Sequence, residues 1–293
     1  MKNVKHYFFL FKKPGSHWFL IFYICTPKGK NLSRTISIIG AGKVGSFLAQ
    51  SFTRAGFRIT EVYSRSQDPA KSLAKKTGSK VAIDVDELDR STDLIIISVP
   101  DDQIRNVISG LPAFKGVVVH TSGTVPMSVF SGKAKKYGVF YPLQTIGSEL
   151  PPDPGQIPVC LEASGKQALE LLNEAASGIT TNIYHLDSEQ RRIAHIAAVF
   201  ACNFTNHLYK VSADILQGYG LPFDLLRPLI KETARKALEH PPGEIQTGPA
   251  ARGDIETVKA HLELLNDEPE LKDLYVRLSK MIIRNYTGKD VEL

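Results

Sequence analysis

Three glycines at positions 40, 42 and 45 form a Gly-x-Gly-x-x-Gly pattern. They belong to the segment Gly40-Ala41-Gly42-Lys43-Val44-Gly45. An apolar run precedes the segment and a helical pattern follows it, which is the context in which such a loop binds a dinucleotide pyrophosphate. Gly40 permits the tight turn, Gly42 lets the backbone approach the phosphates, and Gly45 lets the helix pack closely. Lys43 opposes the helix dipole unless an anion sits there. A tight turn without a ligand is the alternative interpretation.

The end of the second predicted strand indicates which dinucleotide binds. An enzyme that uses NAD usually has Asp or Glu here to hold the ribose 2′-hydroxyl. This chain has Val62-Tyr63-Ser64-Arg65-Ser66 instead, and Glu61 lies too early in the strand. Arg65 would supply charge and paired donors to a 2′-phosphate, and Ser64 and Ser66 would supply neutral donors. The pattern favours NADP(H). The alternative is that Arg65 is solvated and the site accepts either cofactor.

Two further strand ends should lie near the nicotinamide, because open parallel sheets bind ligands beyond the carboxyl ends of their strands. Val99 and Pro100 end one predicted strand, where Pro100 would pack on the nicotinamide ring. Thr121 and Ser122 follow another strand and would hold the carboxamide, with ordinary turn chemistry as the alternative. His120, at the same strand end, is a second candidate for a catalytic acid.

His195 is the first candidate for a proton donor, since an imidazole is suited to acid–base chemistry near neutral pH. At 100° per residue, His195, Val199, Cys202 and Asn206 share one stripe of a predicted helix, and Asn203 lies beside it. Polar groups on a stripe that should be apolar are costly to desolvate unless they are paired, so they indicate a lined cavity. A substrate-orienting or a purely structural role for His195 remains open.

A polar, glycine-rich connection between predicted helices contains Thr247, Arg252 and Asp254. These side chains would anchor a substrate carboxylate and the group next to it. A simple linker is the alternative. His261, seven residues after Asp254, would either join them or pack between helices.

Alternating strands and helices must position these residues. Short apolar runs predict strands at residues 36–39, 58–63, 81–83, 94–99, 117–119, 139–141, 158–161 and 182–185, and helical patterns predict helices at 45–55, 69–76 and 166–176. From about residue 187 only helices are predicted, at 188–217, 223–238, 254–265 and 269–286. The pattern indicates an α/β Rossmann-type domain with a doubly wound, mostly parallel sheet at residues 35–187, followed by an all-α domain at 188–293.

The composition argues against nucleic-acid binding, a zinc site and a disulfide framework. The net charge of the 293 residues is +6, but residues 1–34 contain seven basic residues and no acidic one, which leaves 29 basic and 30 acidic residues in the rest. A protein that grips nucleic acid needs a basic face on its folded domain, and this chain shows no such surplus. Three widely separated cysteines argue against a zinc site or a disulfide framework and suit a reducing cytoplasm.

Residues 1–34 are expected to be an extension outside the fold. Their two aromatic runs are much shorter than the roughly 20 apolar residues that span a bilayer, and they fit a secretory signal poorly. An interfacial aromatic and basic anchor is the alternative.

Several motifs resemble one bacterial protein family over about residues 35 to 285. Besides the glycine loop and Tyr63-Ser64-Arg65-Ser66, they are Val119-His120-Thr121-Ser122-Gly123, Phe140-Tyr141-Pro142-Leu143-Gln144-Thr145, Ser188-Glu189-Gln190-Arg191, Ala194-His195, Cys202-Asn203-Phe204-Thr205-Asn206-His207 and Gln246-Thr247-Gly248-Pro249-Ala250-Ala251-Arg252-Gly253-Asp254. The chain resembles oxidoreductases that join a Rossmann-like domain to a C-terminal domain of unknown function, number 2520. That family is similar in layout to pyrroline-5-carboxylate reductase, ketopantoate reductase and 6-phosphogluconate dehydrogenase.

The resemblance implies a 6-phosphogluconate-dehydrogenase-like helical domain that often forms homodimers. One departure is important: hydroxyacid dehydrogenases of the wider group have a catalytic lysine on the first long helix. Here that helix offers His195, and Lys210 lies well downstream, so their chemistry does not transfer.

These observations predict an NADP(H)-dependent oxidoreductase that acts on a C=O or C=N group of a small, carboxylate-bearing metabolite. Its partners would be that substrate and a second copy of the chain, with no nucleic acid, membrane or metal involved. The alternative from another class is a non-catalytic NADP(H)-binding regulator, which needs the cofactor site but not the polar groups near His195.

Overall fold

The structure is a computed structural model that describes residues 8–12, 18–22, 34–147 and 154–293. The chain divides into two compact units, Met1–His207 and Leu208–Leu293. Within the segment predicted to lie outside the fold, strands β1 (Phe8–Lys12) and β2 (Trp18–Phe22) pair as an antiparallel two-stranded sheet of their own. The rest of that segment, apart from Arg34, lies outside the described residues.

Eight further strands form one sheet. They are β3 (Thr35–Ile39), β4 (Arg58–Tyr63), β5 (Lys80–Ala82), β6 (Leu94–Ile97), β7 (Val117–His120), β8 (Tyr137–Pro142), β9 (Val159–Ala163) and β10 (Ile183–His185). Their order is β10-β9-β8-β7-β6-β3-β4-β5. All neighbours are parallel except β8 and β9, which confirms the predicted doubly wound, mostly parallel sheet.

The chain reverses its direction of winding between β3 and β6. From β3 it moves outward through β4 and β5, then crosses to β6 on the other side of β3 and continues through β7 and β8. Ile39 of β3 lies beside Ile97 of β6, so the two strands end at the same level. Such a reversal creates the crevice in which open α/β sheets bind their ligands.

Helices α1 (Lys43–Arg54), α2 (Gln67–Thr77), α3 (Asp101–Gly110) and α4 (Lys166–Ile179) pack against this sheet. Alternate residues of β6 belong to two different cores, because side chains of a strand point to opposite faces. Leu94 and Ile96 pack in the core that contains α1 and α4, and the two residues that alternate with them pack in the core that contains α3. The near-continuous apolar run of this strand is therefore explained by burial on both faces.

The rest of the chain is helical, as the sequence predicts. Its elements are α5 (Ser188–Ala198), a π-helical segment (Val199–Phe204), α6 (Thr205–Gly218), α7 (Arg227–Glu239), α8 (Pro249–Arg252), α9 (Ile255–Leu264) and α10 (Pro269–Thr287). The second unit has its own core of Ala250, Val258, Leu262 and Ile283. Among the described residues, no helix is both long and apolar enough to cross a membrane.

Two glycines of the loop between β3 and α1 differ in the space around them. A Cβ on Gly45 would lie 2.0 Å from the Gly40 carbonyl oxygen and 2.4 Å from the Ser98 hydroxyl. A Cβ on Gly42 would meet no heavy atom within 4 Å. The close approach of α1 to β6 therefore requires glycine at 45, whereas the fold leaves open space at 42.

Gly45→Ala should lower the free energy of unfolding by about 1–3 kcal/mol, because the added methyl group overpacks a backbone contact. Helix propensity alone would give the opposite sign, a gain of about 1 kcal/mol. Gly42→Ala is the matched control and should change stability by less than about 1 kcal/mol. Urea denaturation of the three proteins measures these differences, and a stabilised Gly45→Ala protein would contradict the packing described here.

Candidate active site

The glycine loop is held between β4 and β6. The Gly40 N–H donates a hydrogen bond to the Tyr63 carbonyl (2.8 Å), and the Ser98 hydroxyl donates one to the Gly40 carbonyl (2.8 Å). Gly40 has a φ of 105°, which favours glycine. These contacts fix the loop at the carboxyl ends of three adjacent strands, where the sequence predicts the phosphate site.

The start of α1 has the properties of an anion site. Its N-cap, Gly42, has no side chain with which to cap the helix, and the first turn contains no Asp or Glu. The Lys43 side chain is exposed and makes no hydrogen bond or ion pair with any other described residue. Free N–H groups at a helix N-terminus, together with the helix dipole, bind phosphate groups.

The residues predicted to bind a 2′-phosphate follow β4 directly. Ser64 is partly buried, Arg65 and Ser66 are exposed, and Arg65 has no ion pair within the described part of the chain. Ser66 is the N-cap residue of α2, yet its hydroxyl makes no capping hydrogen bond. The Glu61 carboxylate already accepts two hydrogen bonds within the protein, from the Ser37 hydroxyl (3.1 Å) and from the Asp89 N–H (3.0 Å). No carboxylate of β4 is therefore free for a ribose 2′-hydroxyl.

The predicted nicotinamide residues lie at the ends of β6 and β7. Val99 is partly buried, and exposed Pro100 is the N-cap residue of α3. Ser122 is buried, and its hydroxyl accepts hydrogen bonds from the N–H groups of Thr124 (3.0 Å) and Val125 (2.9 Å). Thr121 is buried as well. The Ser122 contacts are ordinary turn chemistry, so the carboxamide contact of these two residues stays a prediction.

His120 is completely buried at the end of β7. Its Nδ1 accepts a hydrogen bond from the Ser122 N–H (3.2 Å), and its ring stacks on Phe130 with centroids 5.6 Å apart. Its Nε2 has no hydrogen bond of normal geometry to any described residue. Burial lowers the pKa of His120 to about 4, and the positive charge of Arg191 acts in the same direction. His120 is therefore a neutral interior side chain at neutral pH, without exposed surface.

His195 lies on α5 and meets the end of the sheet through two contacts. Its Nδ1 is 2.9 Å from the Tyr141 hydroxyl, and the two rings are arranged edge to face. A Cβ on Gly123 would lie 2.7 Å from the same nitrogen, so the backbone after β7 packs directly against the imidazole. Both His195 and Tyr141 are partly exposed. Burial, followed by the nearby Cys160 and Asp101, raises the pKa of Tyr141 to about 12.

Side-chain hydrogen bonds attach the first turn of α5 to the sheet. The buried Arg191 guanidinium donates to the Glu162 carboxylate on β9 and to the Val125 carbonyl (2.5 Å). The Ser188 hydroxyl donates to Glu162 (2.9 Å) and accepts from the Met127 N–H (3.0 Å). We call these three residues, Glu162, Ser188 and Arg191, the Arg191 clamp. Removal of one partner of such a buried ion pair typically costs about 3–5 kcal/mol.

The prediction that His195, Cys202 and Asn206 share one stripe of a regular α-helix is wrong. The helix is not continuously α-helical, because Val199–Phe204 forms a π-helical segment and the Thr205 hydroxyl donates to the Phe200 carbonyl five residues earlier (3.1 Å). A spacing of 100° per residue therefore does not carry through to Asn203 and Asn206, both of which are exposed. Their site roles stay predictions without the support of a shared stripe.

The residues predicted to contact substrate lie in the second unit. Thr247 and Arg252 are exposed. The Asp254 carboxylate caps α9 by accepting hydrogen bonds from the Thr257 N–H (3.1 Å) and hydroxyl (2.8 Å), and these bonds lower its pKa. His261 Nδ1 lies 2.7 Å from the Tyr275 hydroxyl. Asp254 thus has a structural role, and the polar, glycine-rich connection contains the short helix α8.

Sequence reasoning did not assign a site role to Tyr141, Gly123, Glu162 or Arg191. All but Glu162 stand within the runs that carried the family resemblance. The spacing from Arg191 to His195 is four residues, which places both on one helix face. That spacing was the only available signal that Arg191 would act beside His195.

The lowered pKa of His120 predicts a pH-dependent stability. Its pKa is about 4 when folded and 6.5 when unfolded, so the unfolded chain binds more protons between these values. The contribution of His120 to the free energy of unfolding is therefore complete above pH 6.5. It is lost as the pH falls towards 4, by roughly 3 kcal/mol in total. His120→Gln should flatten the slope of unfolding free energy against pH in this window. The exposed His240→Gln should leave the slope unchanged, and equal slopes in all three proteins would refute this explanation.

Family models match both the sheet-forming part and the helical part of the chain. Residues 35–121 match the family described as NADP oxidoreductase coenzyme F420-dependent, and residues 157–282 match the domain of unknown function DUF2520. A protein from Bacteroides fragilis, provisionally described as an NADP oxidoreductase, has a solved structure that is 41% identical. The alignment covers 86% of this chain and 98% of that one, with a TM-score of 0.79.

Two further relatives are more distant. An imine reductase from Myxococcus stipitatus, solved in complex with NADP+, is 17% identical; the alignment covers 87% of this chain and 96% of that one, with a TM-score of 0.62, and shows a shared fold. Pyrroline-5-carboxylate reductase from Methanosarcina acetivorans is 31% identical over 104 residues, which are 33% of this chain and 38% of that protein. This chain therefore spans less than two fifths of that curated relative. With the fold, the phosphate loop and the matches to both parts of the chain, the protein belongs to the family of NADP oxidoreductases in which a Rossmann-type domain is followed by the DUF2520 domain.

Proposed function

We propose that this protein transfers a hydride between NADP(H) and a C=O or C=N group of a small, carboxylate-bearing metabolite. The observation that carries the proposal is the partly exposed pair of His195 and Tyr141 at the carboxyl edge of the sheet. Gly123, which packs on this pair, follows β7, and β7 lies two strands from the glycine loop after β3. Two strand spacings are about 10 Å. A dinucleotide whose pyrophosphate sits on α1 would therefore extend its nicotinamide towards His195.

In the proposed complex, backbone N–H groups at Gly42 to Val44 bind the pyrophosphate, and Lys43 adds positive charge beside it. Arg65, with Ser64 and Ser66, binds the 2′-phosphate of the adenosine ribose. Support comes from the exposure of Arg65, from its lack of a partner among the described residues, and from the engagement of Glu61 elsewhere. A guanidinium forms paired hydrogen bonds to a phosphate, which a ribose hydroxyl does not accept.

We assign proton donation to His195 rather than to His120. Reduction of a carbonyl group adds a hydride to carbon and a proton to oxygen, so a donor must lie beside the acceptor. His195 is partly exposed at the strand ends, whereas His120 is completely buried and neutral. Asn203 and Asn206 remain candidates for orienting the substrate.

We also propose that the substrate carries a carboxylate group. Of the three residues predicted to contact it, Thr247 and Arg252 are exposed, and Arg252 has no ion pair within the described ranges. Asp254 already caps α9, so a direct substrate contact is supported best for Arg252.

We further propose that the protein is a cytoplasmic homodimer. Four apolar side chains on α5 and the π-helical segment, Ile193, Ile196, Phe200 and Phe204, are each about half exposed or more. Large apolar side chains that cluster on an exposed helix face are typical of an interface. A second copy of the chain is the partner that the family resemblance favours.

Arg65→Ala should weaken NADPH binding by about 1.5–3 kcal/mol, because a charged hydrogen bond to the 2′-phosphate is lost. NADH binding should stay within about twofold, since NADH has no phosphate at this position. Arg58→Ala is a matched control at the other end of the same strand and should bind both cofactors normally. Calorimetric titration gives all six affinities. Equal losses for NADPH and NADH in Arg65→Ala would show that Arg65 does not meet the phosphate.

His195→Gln should reduce turnover by about 100-fold to 10,000-fold, as expected when a general acid is removed. NADPH affinity should be unchanged, because the phosphate contacts lie elsewhere. The assay follows NADPH oxidation at 340 nm with a library of ketoacids and cyclic imines, and exposed His240→Gln serves as the control. Tight NADPH binding without turnover of any compound would favour the non-catalytic regulator instead.

A further inference from the structure

We propose that Tyr141 is a positioning residue for His195: its hydroxyl holds Nδ1 of the imidazole, so that Nε2 is the nitrogen that exchanges a proton with the substrate. This inference rests on the proposed function, in which His195 is the proton donor. It adds which ring nitrogen reacts and which side chain makes that choice.

The first support is the hydrogen bond itself. The Tyr141 hydroxyl lies 2.9 Å from His195 Nδ1, at the end of β8, and the ring centroids are 6.0 Å apart at an interplanar angle of 68°. A half-turn of the imidazole about its Cβ–Cγ bond would exchange Nδ1 with a carbon atom. The Tyr141 hydroxyl would then face a C–H group and lose its partner, so the hydrogen bond favours one ring orientation.

The second support is steric. A Cβ on Gly123 would lie 2.7 Å from His195 Nδ1, 2.8 Å from His195 Cγ and 3.0 Å from Tyr141 Cζ. The Gly123 backbone therefore packs against both rings at their point of contact. With a hydrogen bond from one residue and backbone packing from another, the Nδ1 edge of the imidazole is enclosed. The Nε2 edge is the remaining polar edge available to a substrate.

The third support is the ionisation of Tyr141. Burial is the main cause that raises its pKa to about 12, and the charges of Cys160 and Asp101 act in the same direction, against Arg191. Besides His195 itself, these three groups, on β9, α3 and α5, are the titratable groups whose charges shift the pKa of Tyr141. Because the phenol keeps its own proton at neutral pH, it does not take the proton of the imidazole away, and its oxygen lone pairs can accept the hydrogen bond from Nδ1–H that the proposal requires.

The proton and electron balance follows from this arrangement. In reduction, bound NADPH would supply the hydride for the new C–H bond at the carbonyl carbon and would be left as NADP+. The Nε2–H bond of the imidazolium would break, and its proton would form the O–H bond of the alcohol. His195 would be left neutral with its proton on Nδ1, still donated to Tyr141. No proton would move at the Tyr141 side of the ring.

Tyr141→Phe tests this assignment, because it removes one oxygen and keeps the ring. Tyr137→Phe is the matched control on the same strand, since the Tyr137 hydroxyl has no hydrogen bond to a described residue. We expect kcat of Tyr141→Phe to fall about fivefold to tenfold, the effect of losing one neutral hydrogen bond. The NADPH dissociation constant and the KM for NADPH should remain unchanged, as should all values for Tyr137→Phe.

A second readout does not require turnover. In ¹⁵N-histidine-labelled protein, the His195 signals are identified by their loss in His195→Gln. Neutral His195 should carry its proton on Nδ1 in the native protein and should become a mixture of tautomers in Tyr141→Phe. A native protein with the proton on Nε2, or a tautomer unaffected by Tyr141→Phe, would overturn the proposal.

The kinetic outcomes are equally decisive. An unchanged kcat in Tyr141→Phe would overturn the positioning role. A loss as large as that of His195→Gln would also overturn it, because Tyr141 would then be the proton donor. If the native protein reduces no compound, the proposed function fails, and the NMR tautomer still decides separately whether Tyr141 sets the orientation of His195.

Discussion

The N-terminus of α1 is the constraint on which the account of this protein depends. A helix of 12 residues starts at the point where the sheet reverses its winding, and its first turn has neither a capping side chain nor an acidic residue. Gly40 and Gly45 permit the close approach of this turn to β6, and Gly42 leaves the space in front of it open. The partial positive charge of the helix end is therefore unbalanced within the described structure. A phosphate group bound there would supply both the missing acceptor and the missing negative charge.

The chemistry depends on a second constraint, the attachment of α5 to the sheet. The Arg191 clamp connects β9, the segment after β7 and the first turn of α5, and its guanidinium is almost completely buried. A buried ion pair is a poor source of net stability, but it specifies one arrangement because each wrong arrangement leaves a charge unpaired. His195 lies four residues after Arg191 on the same helix, so the Arg191 clamp also fixes the position from which the His195 side chain leaves the helix. The glycine loop and the His195–Tyr141 pair are thereby held by one sheet.

Most of the fold could be predicted from the sequence, because buried parallel strands leave strong apolar runs and the glycine loop marks the first turn. α3 was missed, since only three of its 10 residues, Ile104, Val107 and Ile108, are aliphatic, and only Ile104 and Ile108 are buried. The π-helical segment was missed for a different reason. Its sequence continues an ordinary helical pattern, and the extra residue per turn is set by local backbone and tertiary contacts that a period of 3.6 residues does not contain.

The candidate site also has a part that the sequence indicates and a part that it does not. The glycine loop and the exposed position of Arg65 after β4 follow from local motifs, because residues that are neighbours in sequence build them; their contacts with the cofactor stay predictions. Tyr141 and His195 are 54 positions apart, and Glu162 and Arg191 are 29 apart, so their pairing arises only from the strand order. His120 was a reasonable candidate from its place at a strand end, but its complete burial depends on Phe130, which packs from a later short helix.

A crystal structure of the protein with NADPH would show directly whether the start of α1 binds the pyrophosphate. In that binding mode, pyrophosphate oxygens should lie about 2.7–3.2 Å from the first N–H groups of α1, in the open space at Gly42. The 2′-phosphate should then lie at Arg65 and the nicotinamide at the ends of β6 and β7. A dinucleotide bound elsewhere, or a pyrophosphate that makes no contact with the start of α1, would contradict this binding mode.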